Sequence, residues 1–154
     1  MTIDDRLRER SITLPEPPPP GGAYKPTAVA GNLLFVSAQF PIQDGRPKWV
    51  GKIGGELSVD QGRQAARLAA LNALARIRRD LGGFDRLRQV LRLEAHLNTA
   101  PRFAQHAAVA DGASELLNEV LGDRAGHTRA LFGHATLPND LAIELVLTCE
   151  IDPA

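Results

Sequence analysis

The sequence predicts an α+β fold, a two-layer sandwich in the order β-β-α-β-α-β-β with two helices on one face of a mixed sheet. Two long stretches, from Ser58 to Gly82 and from Thr99 to Gly122, carry apolar residues at helical spacing. Runs of strand-like residues flank both. Each helix is apolar on one side, and two such helices against one face of a mixed sheet make a two-layer sandwich.

Residues 1–22 read as an N-terminal extension and residues 23–154 as a single domain. Thr2 can cap a short helix, but only Ile3, Leu7, Ile12 and Leu14 are available for it to bury. The segment from Pro15 to Gly22, with four consecutive prolines, reads as an extended arm serving as a tether. Tyr24-Lys25-Pro26 opens the body. Thr27–Ala30 and Leu33–Ala38 form a hairpin around Gly31-Asn32. A polar loop follows from Asp44-Gly45 to Gly55, and its Trp49 either packs as a lid on the core edge or lines a ligand pocket.

Ser58 and Gln61 form a capping box, the hydroxyl accepting from the Gln61 amide while the Gln61 side chain reaches back. Ala65, Leu68, Ala69, Leu74 and Ile77 then mark the buried side, with Arg63, Arg67, Arg76, Arg78 and Arg79 mostly outward, and Gly82-Gly83 ends the helix. Leu87–Leu97 is the middle strand. Thr99-Ala100-Pro101 starts the second helix, with Pro101 in the permitted first turn. From Gly126 to Glu150 two strands are expected, joined by a tight turn at Leu137-Pro138-Asn139-Asp140. Both faces of the last strand are largely apolar, and two helices cover only one. A second copy of the chain is expected on the other.

Lys plus Arg balance Asp plus Glu at 18 each. That balance leaves no broad basic field for a phosphate backbone and argues against nucleic acid as the main partner. A single cysteine, Cys149, in an apolar strand excludes an intrachain disulfide and reads as a buried, inert thiol. The charged N-terminus has no signal-peptide pattern, and no apolar run spans a bilayer, so the expectation is a soluble, cytoplasmic protein. His96, His106, His127 and His134 show no ligand spacing with acids or Cys149, and no metal site is expected. No phosphate-binding glycine loop is present, and no Ser-His-Asp set can be nominated on spacing alone. His127 and Arg129 share a strand face, where a guanidinium and an imidazole could hold a small carboxylate.

Tyr24 with Pro26, the run Gly31-Asn32-Leu33-Leu34-Phe35-Val36-Ser37-Ala38-Gln39, the alanine-rich helix, and Arg129 in register with Leu137-Pro138 and Ile143-Glu144 resemble the RidA/YjgF family, the L-PSP-type endoribonucleases. The resemblance covers about residues 20 to 151, and the leader marks a longer branch. It implies a chorismate-mutase-like sandwich assembled as a homotrimer with clefts between subunits. It implies hydrolysis of reactive enamines and imines, such as 2-aminoacrylate and 2-iminopropanoate, to 2-keto acids and ammonia, without metal or organic cofactor. By the same resemblance Arg129 binds the substrate carboxylate, Glu144 helps place water, and Tyr24, Ser37, Ala38 and Asp111 line the cleft. Ala38 stands where the family usually has glycine, and His127 where the deaminases tend to have proline. His127 is expected either to share the cleft with Arg129 as proton donor or second anion contact, or to be bonded structurally at the strand start. The alternative function is a carboxylate-binding or regulatory module that does not turn its ligand over. A ribonuclease role suits neither the charge balance nor the few aromatics.

Overall fold

The computed structural model describes all 154 residues. In chain order the elements are α1 (Ile3–Glu9), β1 (Thr27–Ala30), β2 (Leu33–Gln39), β3 (Ile42–Gln43), β4 (Arg46–Pro47), α2 (Val59–Leu81), β5 (Leu87–Asn98), α3 (His106–Leu121), β6 (Thr128–His134) and β7 (Ile143–Ile151). From β1 onward the predicted order holds, with the small β3–β4 hairpin added inside the polar loop. The main sheet runs β1-β2-β7-β5-β6, antiparallel except for the parallel β5–β6 pair at its edge.

β7 buries alternate residues, as its pattern requires: Ile143, Leu145, Leu147 and Cys149 lie under the helices, and Glu144, Val146 and Thr148 are half-buried on the open side. Register extends this division across the sheet. Val36, Leu147, Leu93 and Arg129 lie in one row, and Glu144, His96 and Phe132 in another of the opposite face. The open face leaves Phe35 45% and Phe132 40% exposed.

Four expectations change. The strands around Pro138 do not form a hairpin, because β5 lies between β6 and β7. The 12-residue β5 offers two hydrogen-bonding edges and takes both strands as partners; the Pro138–Asp140 turn carries the chain past its end. The second helix starts at His106 rather than in Thr99-Ala100-Pro101. Thr99 N–H donates to the His134 carbonyl and Ala100 N–H to that of Ile53, so these residues still belong to sheet-like pairing.

The leader is docked rather than trailing. Thr2 and Asp5 close a capping box, and Ile3 and Leu7, each only 4% exposed, join the core beside α3. Asp4 pairs with Arg78 at 3.3 Å and Glu16 with Arg79 at 2.7 Å. Arg76, read as outward, is instead 5% exposed, and its Nη2 donates to the Pro18 carbonyl. Trp49 packs against the core edge.

Candidate active site

The β5–α3–β6 crossover lays α3 over the start of β6. Asp111 and Ser114, three residues apart, share one side of the helix, and His127 and Arg129, two apart, share one side of the extended segment. Their side chains meet. Arg129 Nη1 donates to Asp111 Oδ1 at 2.6 Å and to Ser114 Oγ at 3.2 Å, and Ser114 Oγ lies 2.8 Å from His127 Nε2. Within the chain only Nη1 of Arg129 is engaged. The Nε–Nη2 edge, the side of a guanidinium that grips a carboxylate with two parallel bonds, has no protein partner.

His127 Nδ1 is buried without a hydrogen-bond partner. Burial first, then the Arg129 charge, hold the imidazole below its ordinary value of 6.5. It is therefore neutral near pH 7. Its partner is the Ser114 hydroxyl, which sequence spacing did not nominate because the pairing joins a helix to a strand.

The structure brings Arg129, His127 and Asp111 together and leaves the remaining candidates elsewhere. Tyr24, Ser37 and Ala38 line a cavity of about 490 Å³ beside β2, roofed by residues 18–21. Three strand spacings of about 4.8 Å, roughly 14 Å, separate β2 from β6. Glu144 sits on the opposite sheet face from Arg129, in register with His96. On that face His96 Nδ1 lies 2.8 Å from His134 Nε2, with Phe132 stacked on His96 at 4.6 Å. Cys149 is buried and its thiol is pushed up to about 12 by desolvation, which makes it inert. No three His, Cys, Asp or Glu side chains gather as a metal set, and no helix is long and apolar enough to cross a membrane.

Comparison with known proteins gives a consistent grouping. A family model described as "YjgF/chorismate mutase-like, putative endoribonuclease" matches residues 4–151. Protein TCP17 of Trypanosoma cruzi is 34% identical over 147 residues, covering 95% of this chain and 92% of that protein. A crystal structure from Shewanella oneidensis MR-1, described as a putative endoribonuclease, has 33% identity and a TM-score of 0.94, with 97% of this chain and 99% of that one covered. The protein Atu1372 from Agrobacterium tumefaciens, of unknown function, has 36% identity and a TM-score of 0.89 over 97% and 92% of the two chains. A coverage of 97% of this chain leaves out too few residues to omit the leader, so the leader belongs to the fold that these structures share.

Proposed function

The chain belongs to the YjgF/RidA family, and from that premise we propose that it is a hydrolytic deaminase of small reactive enamine and imine carboxylates. The observation that carries the reading is the unengaged Nε–Nη2 edge of Arg129, held in place through Nη1 by Asp111 and Ser114. A guanidinium so oriented loses little rotamer freedom on gripping a planar carboxylate. Once 2-aminoacrylate has tautomerised to 2-iminopropanoate, water adds to the C=N carbon. The resulting carbinolamine expels ammonia and leaves pyruvate. An electrophilic imine needs positioning more than a strong nucleophile.

Glu144 is the carboxylate that takes the proton from the attacking water. Because it lies across the sheet from Arg129, the two act on one substrate only where a second copy supplies one of them. The reading therefore calls for a homotrimer in which the β6 edge of one copy, carrying Arg129, meets the open sheet face of the next. The exposed Phe35 and Phe132 on that face support it. Tyr24, Ser37 and Ala38 complete the wall of the same cleft. The ligand is a small carboxylate, and no metal or organic cofactor takes part.

A second reading, a carboxylate-binding regulator, draws support from Asp111. It already places one carboxylate on Arg129 and lowers the net positive charge offered to a substrate. Ammonia release from 2-aminoacrylate generated in situ separates the two. The deaminase accelerates release, and Arg129→Ala lowers kcat/KM by about 100-fold or more, the cost of losing a charge-assisted bidentate contact. If the folded wild type gives no acceleration while pyruvate binds calorimetrically and requires Arg129, the regulator stands instead.

A further inference from the structure

The chain as a whole is electrically balanced, but one of its cavities is not. It opens beyond the ends of β5 and β6, has a volume of about 470 Å³, and is lined by Lys52, Arg102, His106 and His134 with no Asp or Glu in its wall. That volume is within the usual range for a small-molecule site. Two cations and two imidazoles gathered without a counter-charge make a field that an incoming anion relieves.

The donors are held in place rather than loose. Lys52 Nζ donates to Asn98 Oδ1 at 2.9 Å and to the Ala135 carbonyl, both neutral acceptors. Asn98 is 0% exposed, and its Nδ2 donates to Asp140 Oδ1 at 2.8 Å, which turns the amide oxygen toward the lysine. Glu56, the acid of the same loop, accepts from the Lys52 backbone N–H at 2.8 Å and forms no ion pair with the ammonium. One ammonium hydrogen is left over. His106 opens α3 and stands edge-on to Phe103, with 5.3 Å between ring centroids. Its Nε2 lies over Gly133, where a Cβ would come within 2.5 Å of that nitrogen and 3.1 Å of Thr99 Oγ1. Gly133 is an ordinary strand residue, so glycine supplies room here and not a turn. Neither His106, nor Thr99 Oγ1, nor the Arg102 guanidinium has a hydrogen-bond partner within the chain. His134 engages only Nε2, on His96 at 2.8 Å.

A set of donors this large exceeds what a carboxylate can use. One guanidinium edge satisfies a carboxylate, whereas a phosphate monoester brings close to two charges and three strong acceptor oxygens near neutral pH. We propose that this cavity binds a small phosphate monoester. Its phosphate lies among Lys52, Arg102, His106 and Thr99 Oγ1, and a compact planar body rests on Phe103. The site shares no residue with the cavity beside β2, and Gly133 is four residues, roughly 13 Å, along β6 from Arg129. It does not depend on the deaminase reading.

Isothermal titration of the full chain with phenyl phosphate, inorganic phosphate, benzoate and a short single-stranded RNA tests this. Phenyl phosphate binds, and inorganic phosphate binds at least about tenfold more weakly because it has no body to place on Phe103. Neither benzoate nor the RNA displaces phenyl phosphate at equal concentration. Arg102 is exposed and unpaired, so Arg102→Gln keeps the fold and lowers phenyl phosphate affinity by about tenfold or more, the loss of a charge-assisted bond. Arg129→Ala leaves that affinity as in the wild type. The ring nitrogen resonances of His106, identified by their loss in His106→Gln, shift as phenyl phosphate is added. The proposal is overturned by absent phenyl phosphate binding, by equal affinity for inorganic phosphate, or by effective competition from benzoate or RNA. It is overturned equally by an unchanged affinity in Arg102→Gln, by dependence on Arg129, or by His106 resonances that do not move.

Discussion

At Gly112 the backbones of the two long helices lie in close approach. In Gly112→Ala the new methyl carbon would stand 2.2 Å from the Arg63 carbonyl oxygen and 2.9 Å from its carbonyl carbon. Even a favourable carbon–oxygen contact needs about 3.3 Å, so α3 must retreat from α2 by roughly 1 Å. Neither atom can swing aside, because both belong to helical backbone. A gap of about 1 Å forfeits up to half the dispersion attraction of the facing side chains. Arg63 also ties the helices directly, donating from Nη1 to the Ala108 carbonyl at 2.7 Å and pairing with Glu115 at 2.7 Å. Overpacking of this kind costs about 3 kcal/mol, the upper end of its usual range. For a chain of this length that lowers Tm by roughly 6–12 °C.

The assay is thermal unfolding at matched protein concentration, with Gly82→Ala as control. Gly82 has φ +73 and nothing within 4 Å of an added Cβ, so its substitution costs about 1 kcal/mol through backbone strain alone. The expected order is therefore Gly112→Ala well below Gly82→Ala, and Gly82→Ala below wild type. A Gly112→Ala variant melting within about 1 °C of wild type would refute the close approach of the helices. Because Asp111 and Ser114 stand on either side of Gly112, a retreat of α3 also slackens the 2.6 Å bond that holds Arg129. Under the proposed deaminase reading, turnover should then fall at temperatures where the variant is still folded.

His127 gives a pH prediction. Its folded-state pKa is depressed, so the unfolded chain takes up the proton first as pH falls. The stability that comes from its neutral form is complete above about 6.5 and declines as pH drops from there through the lowered folded value. His127→Gln should flatten the dependence of the denaturant midpoint on pH between about 7 and 5, and an unchanged slope would place that titration on another group. For Cys149, a thiol raised from 9.0 to about 12 has about 1,000-fold less thiolate near neutral pH. Native protein should react with a thiol reagent only at the rate of unfolding, and rapid native labelling would show the strand to be open.

How much of this could be read beforehand depends on how local each signal is. The hairpin at Gly31-Asn32, the capping box of Ser58 and Gln61, and the alternation along β7 each lie within a few residues, and each came out as expected. The order of strands did not, because a turn such as Leu137–Asp140 says that the chain reverses and not which strand it reverses beside. The docking of α1 was hidden for a different reason. Ile3 and Leu7 are too few to mark a core helix, and the surface they complete belongs to α3. In the candidate site the same division recurs. His127 and Arg129 were legible from their spacing, whereas Ser114 meets them only through the packing of α3 on β6. Arg76 was the most thoroughly masked, one arginine among five on α2, and nothing local separates a solvated guanidinium from one drawn under a distant run of prolines.

The opposed faces of Arg129 and Glu144 turn that division into a constraint on mechanism. Residues two apart in a strand, or directly opposite in register, keep their face whatever the side chains do. Arg129 shares its row with Leu93 and Leu147 under the helices, and Glu144 shares its row with His96 and Phe132 on the open side. Opposed faces keep the Arg129 guanidinium and the Glu144 carboxylate of one chain from meeting on one small substrate. Chemistry that uses both therefore belongs to the assembly. The leader, latched by ion pairs from Asp4 and Glu16 to α2, lies on the helix side and leaves the open sheet face uncovered within the chain.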